Sequence, residues 1–564
     1  MPWQPRITPD RAVLIGALVT VAVYFRDLRY DFILDDLPLI MMNETITSWH
    51  NWKTILMTDI ASPMYGSGLP AIHYRPVYVF WLMLNHQLFG SVLPWWHLTS
   101  LLLHLGVTLL VYRVGLEILK EPWTAALAAL LFAFHPIHVE SVSYVSASSD
   151  LLVALFVLIS FLLYSRFRES GAPAGYLVAA VLAAALAMFS KETAAMFPWM
   201  LVGYEALRSS PPSAQPWKRF VWTVPFFGVV AAYAVARTLL FGVNLGPGPG
   251  GSRFASLVDV PLVLLVYLRN LFWSFRLGFF YPSEWSSQWT LAKGFALILV
   301  VVLAALLWNH DRDRPGVRLQ LLWTAILFVI PVAAVSTFVT EDWVHDRHMY
   351  LVSIPFCLIV AALLADPRVP PRASVIASSL ILLLLLVETT IQLPRFSDEI
   401  TLYQSTLKVA PRNALAHRYY ASALWNYGHH DEALREYRLS TQLWPESPLA
   451  YESYAAALAE IGRDVEAEAE YAKALQYTPG PTRARASILY RLAMLEVNRS
   501  ESEQAAVHAR EALQIDPLAP NYHAALAQAL RQQGREQEAE DEMRSEASVR
   551  KQQRFRPKRP TLQD

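Results

Sequence analysis

About eleven apolar stretches, each close to the length a helix needs to cross a bilayer, fill the first 394 residues of this chain. They lie near 11–25, 96–118, 123–136, 150–165, 176–189, 193–207, 218–240, 289–308, 319–338, 347–365 and 373–393. Two further runs, 76–89 and 257–275, are ambiguous: the first is short and carries Asn85, His86 and Gln87, and the second carries Arg269 and Asn270. No small-residue cleavage site follows the first run, which reads as a retained helix.

Loop charge arbitrates between topologies. With both ambiguous runs kept at the surface, alternate loops hold Arg6/Arg11, Arg113/Lys120, Arg166/Arg168, Arg208/Lys218/Arg219, Arg312/Arg314/Arg318 and Arg368/Arg372. Every one is basic, as the positive-inside rule expects of cytosolic loops. Letting 76–89 cross would move the loops at 113, 166 and 208 to the opposite face. The two runs are therefore expected as interfacial or re-entrant helices. The N-terminus is then cytosolic, and everything after the last span is extracytosolic. The other loops (26–95, 137–149, 190–192, 241–288 and 339–346) share the non-cytosolic face and hold nearly all the unusual polar residues of the membrane part.

Composition averages two unlike parts. Hydrophobic residues make up 54% and charged residues 17%, with mean hydropathy +0.29, but from Arg395 onward no run could span lipid. Net charge is zero, so bulk charge gives no case for a nucleic-acid partner. Cys357 is the only cysteine, which excludes an intrachain disulfide. The expected domains are a membrane domain over 1–394, a helical repeat domain over 397–545 and a basic, solvated tail over 546–564.

The repeat reading rests on period. Pro411, Pro445 and Pro479 recur every 34 residues, and so do Gly428 and Gly462, and Ala433 and Ala467. Ala505 and Ala539 repeat that step after a four-residue offset, which the turn at 479–485 supplies. A 34-residue helix–turn–helix period with fixed small residues is the tetratricopeptide pattern, here about four repeats. Stacked repeats bury one another's apolar faces and leave a groove that can hold an extended peptide, brace the membrane part or mediate self-association.

Five polar clusters fall on the outer face. Asp35 and Asp36 follow the first span; two adjacent carboxylates can serve as base and support, hold a divalent cation, or simply cap a helix. Arg75 precedes Pro76, which suits a first helical position, so its cation and the free N–H groups favour an anion such as phosphate; snorkelling to headgroups is the alternative. His135, His138 and Glu140, with Asp150 beyond, could hydrogen-bond a substrate, ligate a metal or pack at the interface, and Pro136 should end the third span at His135. Lys191 and Glu192 sit between the fifth and sixth spans, and Glu192 could be the lysine's own counter-ion. Finally Glu341, Asp342, His345, Asp346, Arg347, His348 and Tyr350 open the tenth span, with Arg347 suited to phosphate and Asp346 as a candidate internal counter-ion.

Several stretches together resemble the transmembrane and tetratricopeptide-repeat O-mannosyltransferase family, within the GT-C glycosyltransferases. They are FILDDLPLIMMN (32–43), YRPV (74–77), WWHLTSLLLH (95–104), HPIHVESV…SASSDLL (135–152), FSKET (189–193), VHDRHMYL (344–351) and the C-terminal repeats. One departure is SYVSASSD (143–150), which lacks the family's usual Arg two residues before Asp150. The resemblance implies an all-α GT-C-type membrane domain followed by a repeat solenoid. It also implies inverting transfer of a sugar, mannose or another hexose, from a polyprenyl-phosphate donor to a hydroxyl acceptor outside the cytosol. Asp35 would be the base with Asp36 supporting it, and Arg75, Lys191 and Arg347 would serve the lipid phosphate. The repeats would recruit a protein or peptide acceptor. The array is shorter than in many animal members, which points to a bacterial-type relative in an inner membrane. Two other readings stay open: a non-catalytic scaffold with working repeats, and a transferase acting on glycolipid or polysaccharide.

Overall fold

The computed structural model describes residues 7–60, 73–208, 216–241, 253–282, 291–310, 314–329 and 344–554. The described residues form α-helices, short 3-10 turns and one π-helical turn at Leu37–Met41, with no strand among them. The chain separates into two compact units, Met1–Leu402 and Tyr403–Asp564.

Among the described residues of the first unit, four helices are long and apolar enough to cross a membrane: Leu93–Leu119, Val145–Phe167, Trp217–Phe241 and Pro371–Phe396. A fifth arises if Pro122–Ala133 and Pro136–Ser143, bent by 49°, form one span. The break falls at His135, where the proline was expected to end the helix. Other expected runs appear as shorter apolar helices, including Gly175–Ser190 and Ser353–Leu364. The tenth run begins later than expected, because Asp346–Met349 is a 3-10 turn ahead of helix Ser353–Leu364. Part of the run at 319–338, together with Glu341 and Asp342, lies outside the described residues.

The surface agrees with the hydropathy. Helix Pro371–Gln392 exposes Val375, Ile376, Leu380, Leu383, Leu384, Val387 and Ile391, a contiguous apolar face that water would penalise and lipid would not. Inside, small residues set the spacing. A Cβ on Gly115 would come within 2.9 Å of the Ala125 Cβ, so helices Leu93–Leu119 and Pro122–Ala133 approach almost backbone to backbone. The interfacial candidate 76–89 is a helix, Pro76–Phe89, with Arg75 at its N-cap.

The described residues of the second unit form four helix pairs: Ala414–Asn426 with His430–Leu443, Pro448–Glu460 with Asp464–Gln476, Arg483–Asn498 with Ser502–Ile515, and Tyr522–Gln532 with Glu536–Arg554. Asn413, Ser447 and Thr482 cap the first helix of the first three pairs through their side-chain oxygens. Ala433, Ala467, Ala505 and Ala539 are all fully buried, as the period requires. The last helix runs past residue 546 to Arg554, and Glu546 accepts from Asn521 N–H and from Arg550. The segment 546–554 is thus helix, not tail, because Glu546 ties it to the preceding turn.

The turn inside each pair has one recurring shape. Gly428, Gly462, Ser500 and Gly534 all adopt left-handed φ, from 63° to 83°. The N–H after each reaches back five residues, as in His429 N to Leu424 O at 2.8 Å and Glu501 N to Glu496 O at 2.9 Å. Ser500 stands where its siblings have glycine, so its Cβ is strained. Ser500→Gly should stabilise the repeat unit by about 1 kcal/mol, read as a raised urea midpoint with unchanged slope. A lowered midpoint would show that the serine is held by something other than the turn.

Candidate active site

The turn after the first span fixes two neighbouring carboxylates differently. Leu34 takes a left-handed φ of 52°, costly for a branched side chain, and this turns the backbone sharply before the pair. Asp36 is buried. Its Oδ1 accepts from Ser146 N–H at 2.7 Å and Ser146 Oγ at 2.5 Å, and its Oδ2 accepts from Ile33 N–H at 3.3 Å. Asp35 is exposed; its backbone N–H donates to Tyr144 Oη at 3.2 Å. Neither side chain caps the following turn at Leu37–Met41. The fold therefore splits the pair into one presented carboxylate and one structural clamp.

Three ion pairs follow. Arg75 grips Glu192 with two bonds, Nε to Oε2 at 2.9 Å and Nη2 to Oε1 at 2.5 Å, with His73 Nδ1 at 3.5 Å from the same carboxylate. Lys191 Nζ donates to both oxygens of Asp150, at 2.6 and 2.7 Å, and both side chains are buried. Arg347 Nη1 meets Glu140 Oε1 at 2.6 Å, and Arg347 N–H donates to Glu140 Oε2 at 3.2 Å. These pairings correct two expectations. Lys191 does not pair with Glu192: its backbone is extended (φ −163°, ψ 142°), so the adjacent side chains diverge and find different partners. Asp346 is not the counter-ion of Arg347, because it turns the other way. It accepts from Tyr281 Oη at 2.7 Å and from Asn270 Nδ2 at 2.7 Å.

Tyr144 links the groups. Besides receiving the Asp35 N–H, its ring lies 5.9 Å from the Arg347 guanidinium and meets Phe279 edge-on at 6.3 Å. Lys191 and Arg75 lie close enough for their charges to oppose one another, and Arg347 acts on Lys191 in the same sense. Burial, with those cations, lowers the Lys191 ammonium from its ordinary range against the pull of Asp150.

The histidines belong to the interior instead. His135 uses both ring nitrogens within the protein, with Nδ1 accepting from Ile137 N–H at 3.2 Å at the break and Nε2 2.9 Å from Leu271 O on another helix. His138 is fully buried against Ser353 Oγ at 2.8 Å. Tyr350, also buried, sits 2.8 Å from His104 Nδ1. Their proline-led break packs them inward while Glu140, two residues on, faces Arg347. Among the described residues no group of three or more His, Cys, Asp or Glu side chains is arranged to hold a metal ion. Tyr144, Ser146, Asn270 and Tyr281 complete the network. The sequence marks Asn270 only as a polar residue in an ambiguous apolar run, Tyr144 and Ser146 only as part of the divergent SYVSASSD stretch, and Tyr281 not at all.

Two buried carboxyls give the site a pH signature. Burial, reinforced by the Asp35 charge, pushes Asp36 up to about 7 despite its three donors. Burial and then the Glu140 charge push Asp346 up to about 7. A carboxyl raised in the folded state binds its proton there at pH values where the unfolded chain has lost it. Stability from these groups is therefore present under acid conditions and is lost as pH rises through about 7. The purified protein should melt at a higher temperature at pH 5 than at pH 8, and Asp36→Asn should narrow that gap. An unchanged gap in the variant would remove Asp36 as its source.

The fold and site define a polytopic all-α membrane domain with an ion-paired polar centre, joined to a helical repeat unit. A family model described as dolichyl-phosphate-mannose-protein mannosyltransferase matches residues 74–240, a span that includes Arg75, Glu140, Asp150, Lys191 and Glu192. The chain is 25% identical over 451 residues to a protein O-mannosyl-transferase of Caenorhabditis elegans, covering 76% of this chain and 62% of that one. It is 25% identical over 500 residues to protein O-mannosyl-transferase TMTC4 of Mus musculus, covering 77% and 66%. Over 192 residues it is 33% identical to protein O-mannosyl-transferase Tmtc2 of Drosophila melanogaster, covering 33% and 20%. The chain thus spans less than two thirds of the length of each. The crystal structure of MamA aligns with 28% of this chain and 89% of its own, at 17% identity and a TM-score of 0.26. The sequence matches bear out the resemblance to the transmembrane and tetratricopeptide-repeat O-mannosyltransferase family.

Proposed function

We propose that this chain is a membrane glycosyltransferase that moves a hexose, mannose in the first instance, from a polyprenyl-phosphate donor to a Ser or Thr hydroxyl of a protein on the extracytosolic face. The observation that carries the reading is the division of labour at Asp35 and Asp36. One carboxylate is exposed against Tyr144, whose ring neighbours the Arg347 guanidinium, and its neighbour is buried to hold the turn.

In the reaction, the acceptor hydroxyl oxygen bonds to the sugar's anomeric carbon while Asp35 takes the hydroxyl proton. The bond from that carbon to the phosphate oxygen breaks, and its electron pair leaves on the polyprenyl phosphate. Attack opposite the leaving group inverts the anomeric centre. Arg75, Lys191 and Arg347 stabilise the departing phosphate charge, each held in place by its carboxylate. Their prior pairing keeps the cations oriented and lets them shift toward an incoming phosphate. On this reading Asp36 acts through the turn and not on the substrate.

The repeats then serve the acceptor. A chain cut after Leu402 should still bind the lipid donor but transfer to peptide at least about tenfold more slowly, a loss of about 1.4 kcal/mol of acceptor binding. Equal peptide transfer by the cut and full chains would remove the recruiting role.

A further inference from the structure

Every backbone N–H from Ile33 to Asp36 has a partner, and one of those partners comes from far along the chain. Ile33 N–H donates to Asp36 Oδ2 at 3.3 Å, Asp35 N–H to Tyr144 Oη at 3.2 Å and Asp36 N–H to Ile33 O at 2.9 Å. Leu34 N–H donates to Glu399 Oε1 at 3.0 Å, a carboxylate 365 positions away and just beyond the last span. A second bond joins the same two segments, from Asp31 N–H to Ser397 O at 2.9 Å.

An acidic residue in the first turn of a helix ordinarily serves that helix. Glu399 opens helix Glu399–Val409, but the capping there falls to Asp398. Asp398 Oδ1 accepts from Thr401 N–H at 2.8 Å, and its Oδ2 accepts from Thr401 Oγ1 and Ser397 Oγ, both at 2.7 Å. Glu399 is left to reach across to Leu34. The N–H it takes belongs to the strained residue, at φ 52°. A left-handed leucine is costly and persists only where its surroundings hold it. Return of Leu34 to an ordinary φ would redirect the chain at Asp35, the next residue, and its carboxylate with it.

We propose that Glu399 is a positioning residue for the reaction: its bond to Leu34 N–H keeps the left-handed turn that aims the Asp35 carboxylate. Glu399 acts on the geometry of proton removal and touches no substrate. A displacement of about 1 Å at a reacting group can slow a reaction by about 10²-fold. The bond needs an acceptor oxygen at the right reach and no charge, so glutamine can replace glutamate while alanine and the shorter aspartate cannot.

The role rests on Asp35 as the base, and its test separates the two. Steady-state transfer from polyprenyl-phosphate mannose to a Ser/Thr peptide is measured on the full chain in detergent, with melting temperature alongside. Glu399→Ala should lower kcat by about 10–10²-fold and leave KM for donor and peptide unchanged. Glu399→Asp keeps the charge but falls short by one methylene, and it should be slowed in the same way. Glu399→Gln should stay within about twofold of wild type. Glycine adopts the left-handed φ without strain, so in a Leu34→Gly background the effect of Glu399→Ala should shrink to about threefold or less. A tie that merely held its helix in place would lower the melting temperature equally in both backgrounds and spare the kcat of folded protein. Wild-type kcat in Glu399→Ala or Glu399→Asp, or an effect of equal size in both backgrounds, overturns the positioning role. So does a Glu399→Gln variant as slow as Glu399→Ala, which would point to the charge. Full activity in Asp35→Asn overturns the base itself, and no transfer by the wild type overturns the transferase, each taking the positioning role with it.

Discussion

Asp35→Asn should lower sugar transfer by about 10²–10⁴-fold, the range a positioned general base contributes, and leave the melting temperature nearly unchanged. The second half of that expectation follows from exposure. The Asp35 carboxylate is exposed, its side-chain contact is with the Tyr144 hydroxyl, to which an amide oxygen can still bond, and the backbone bond to Tyr144 is kept by the substitution. Asp36→Asn should behave in the opposite way. Its oxygens accept from Ser146 N–H, Ser146 Oγ and Ile33 N–H, and an amide offers one acceptor where the clamp needs two. It should lose stability first and activity as a consequence. Transfer assays paired with thermal melts distinguish the two residues. Full activity in Asp35→Asn would sink the base assignment, and equal melting losses in both variants would sink the division between them.

Asp150→Ala should destabilise the membrane unit by about 3–5 kcal/mol, because it strands a buried ammonium with no counter-charge. Both partners are nearly inaccessible, at 8% and 7% side-chain exposure, so water cannot replace the lost carboxylate. Arg75 and Arg347 add repulsion to Lys191 once Asp150 is gone. Asp150→Leu combined with Lys191→Met should recover most of that stability, since a well-packed apolar pair often equals a buried ion pair. It should nonetheless remain deficient in transfer if Lys191 serves the phosphate. Melting followed by tryptophan fluorescence in detergent gives the first comparison and the assay gives the second. A single Asp150→Ala variant as stable as wild type would show that Lys191 reaches another anion.

The elements with a strong period were readable directly. The 34-residue step gave the repeat pairs, down to the glycine turns at Gly428 and Gly462, because helix stacking repeats the same packing problem. Pro76 and Pro136 located a helix start and a helix break, because a missing N–H and a fixed φ act locally. Pairing was not readable. Lys191 and Glu192 are neighbours in sequence but diverge in an extended backbone, and their true partners lie 41 and 117 positions away. Glu140 finds Arg347 across 207 positions. No local rule reaches that far. Nor was the burial of His135 and His138 readable: in a short motif they fit substrate contact, metal ligation or packing alike, and in the fold both lie in the interior. Hydropathy marks apolar runs without showing where 3-10 turns shorten the helices within them, as at Asp346–Met349 ahead of Ser353–Leu364.

The most direct test of the proposed activity is a transfer reaction with the purified full chain, polyprenyl-phosphate mannose and a Ser/Thr-containing peptide. The expected result is mannosyl peptide and free polyprenyl phosphate in equal amounts, with the anomeric configuration of the product opposite to that of the donor by NMR. Product of retained configuration would contradict the single-displacement mechanism. A protein that binds the lipid and peptide yet forms no mannosyl peptide would contradict the transferase itself.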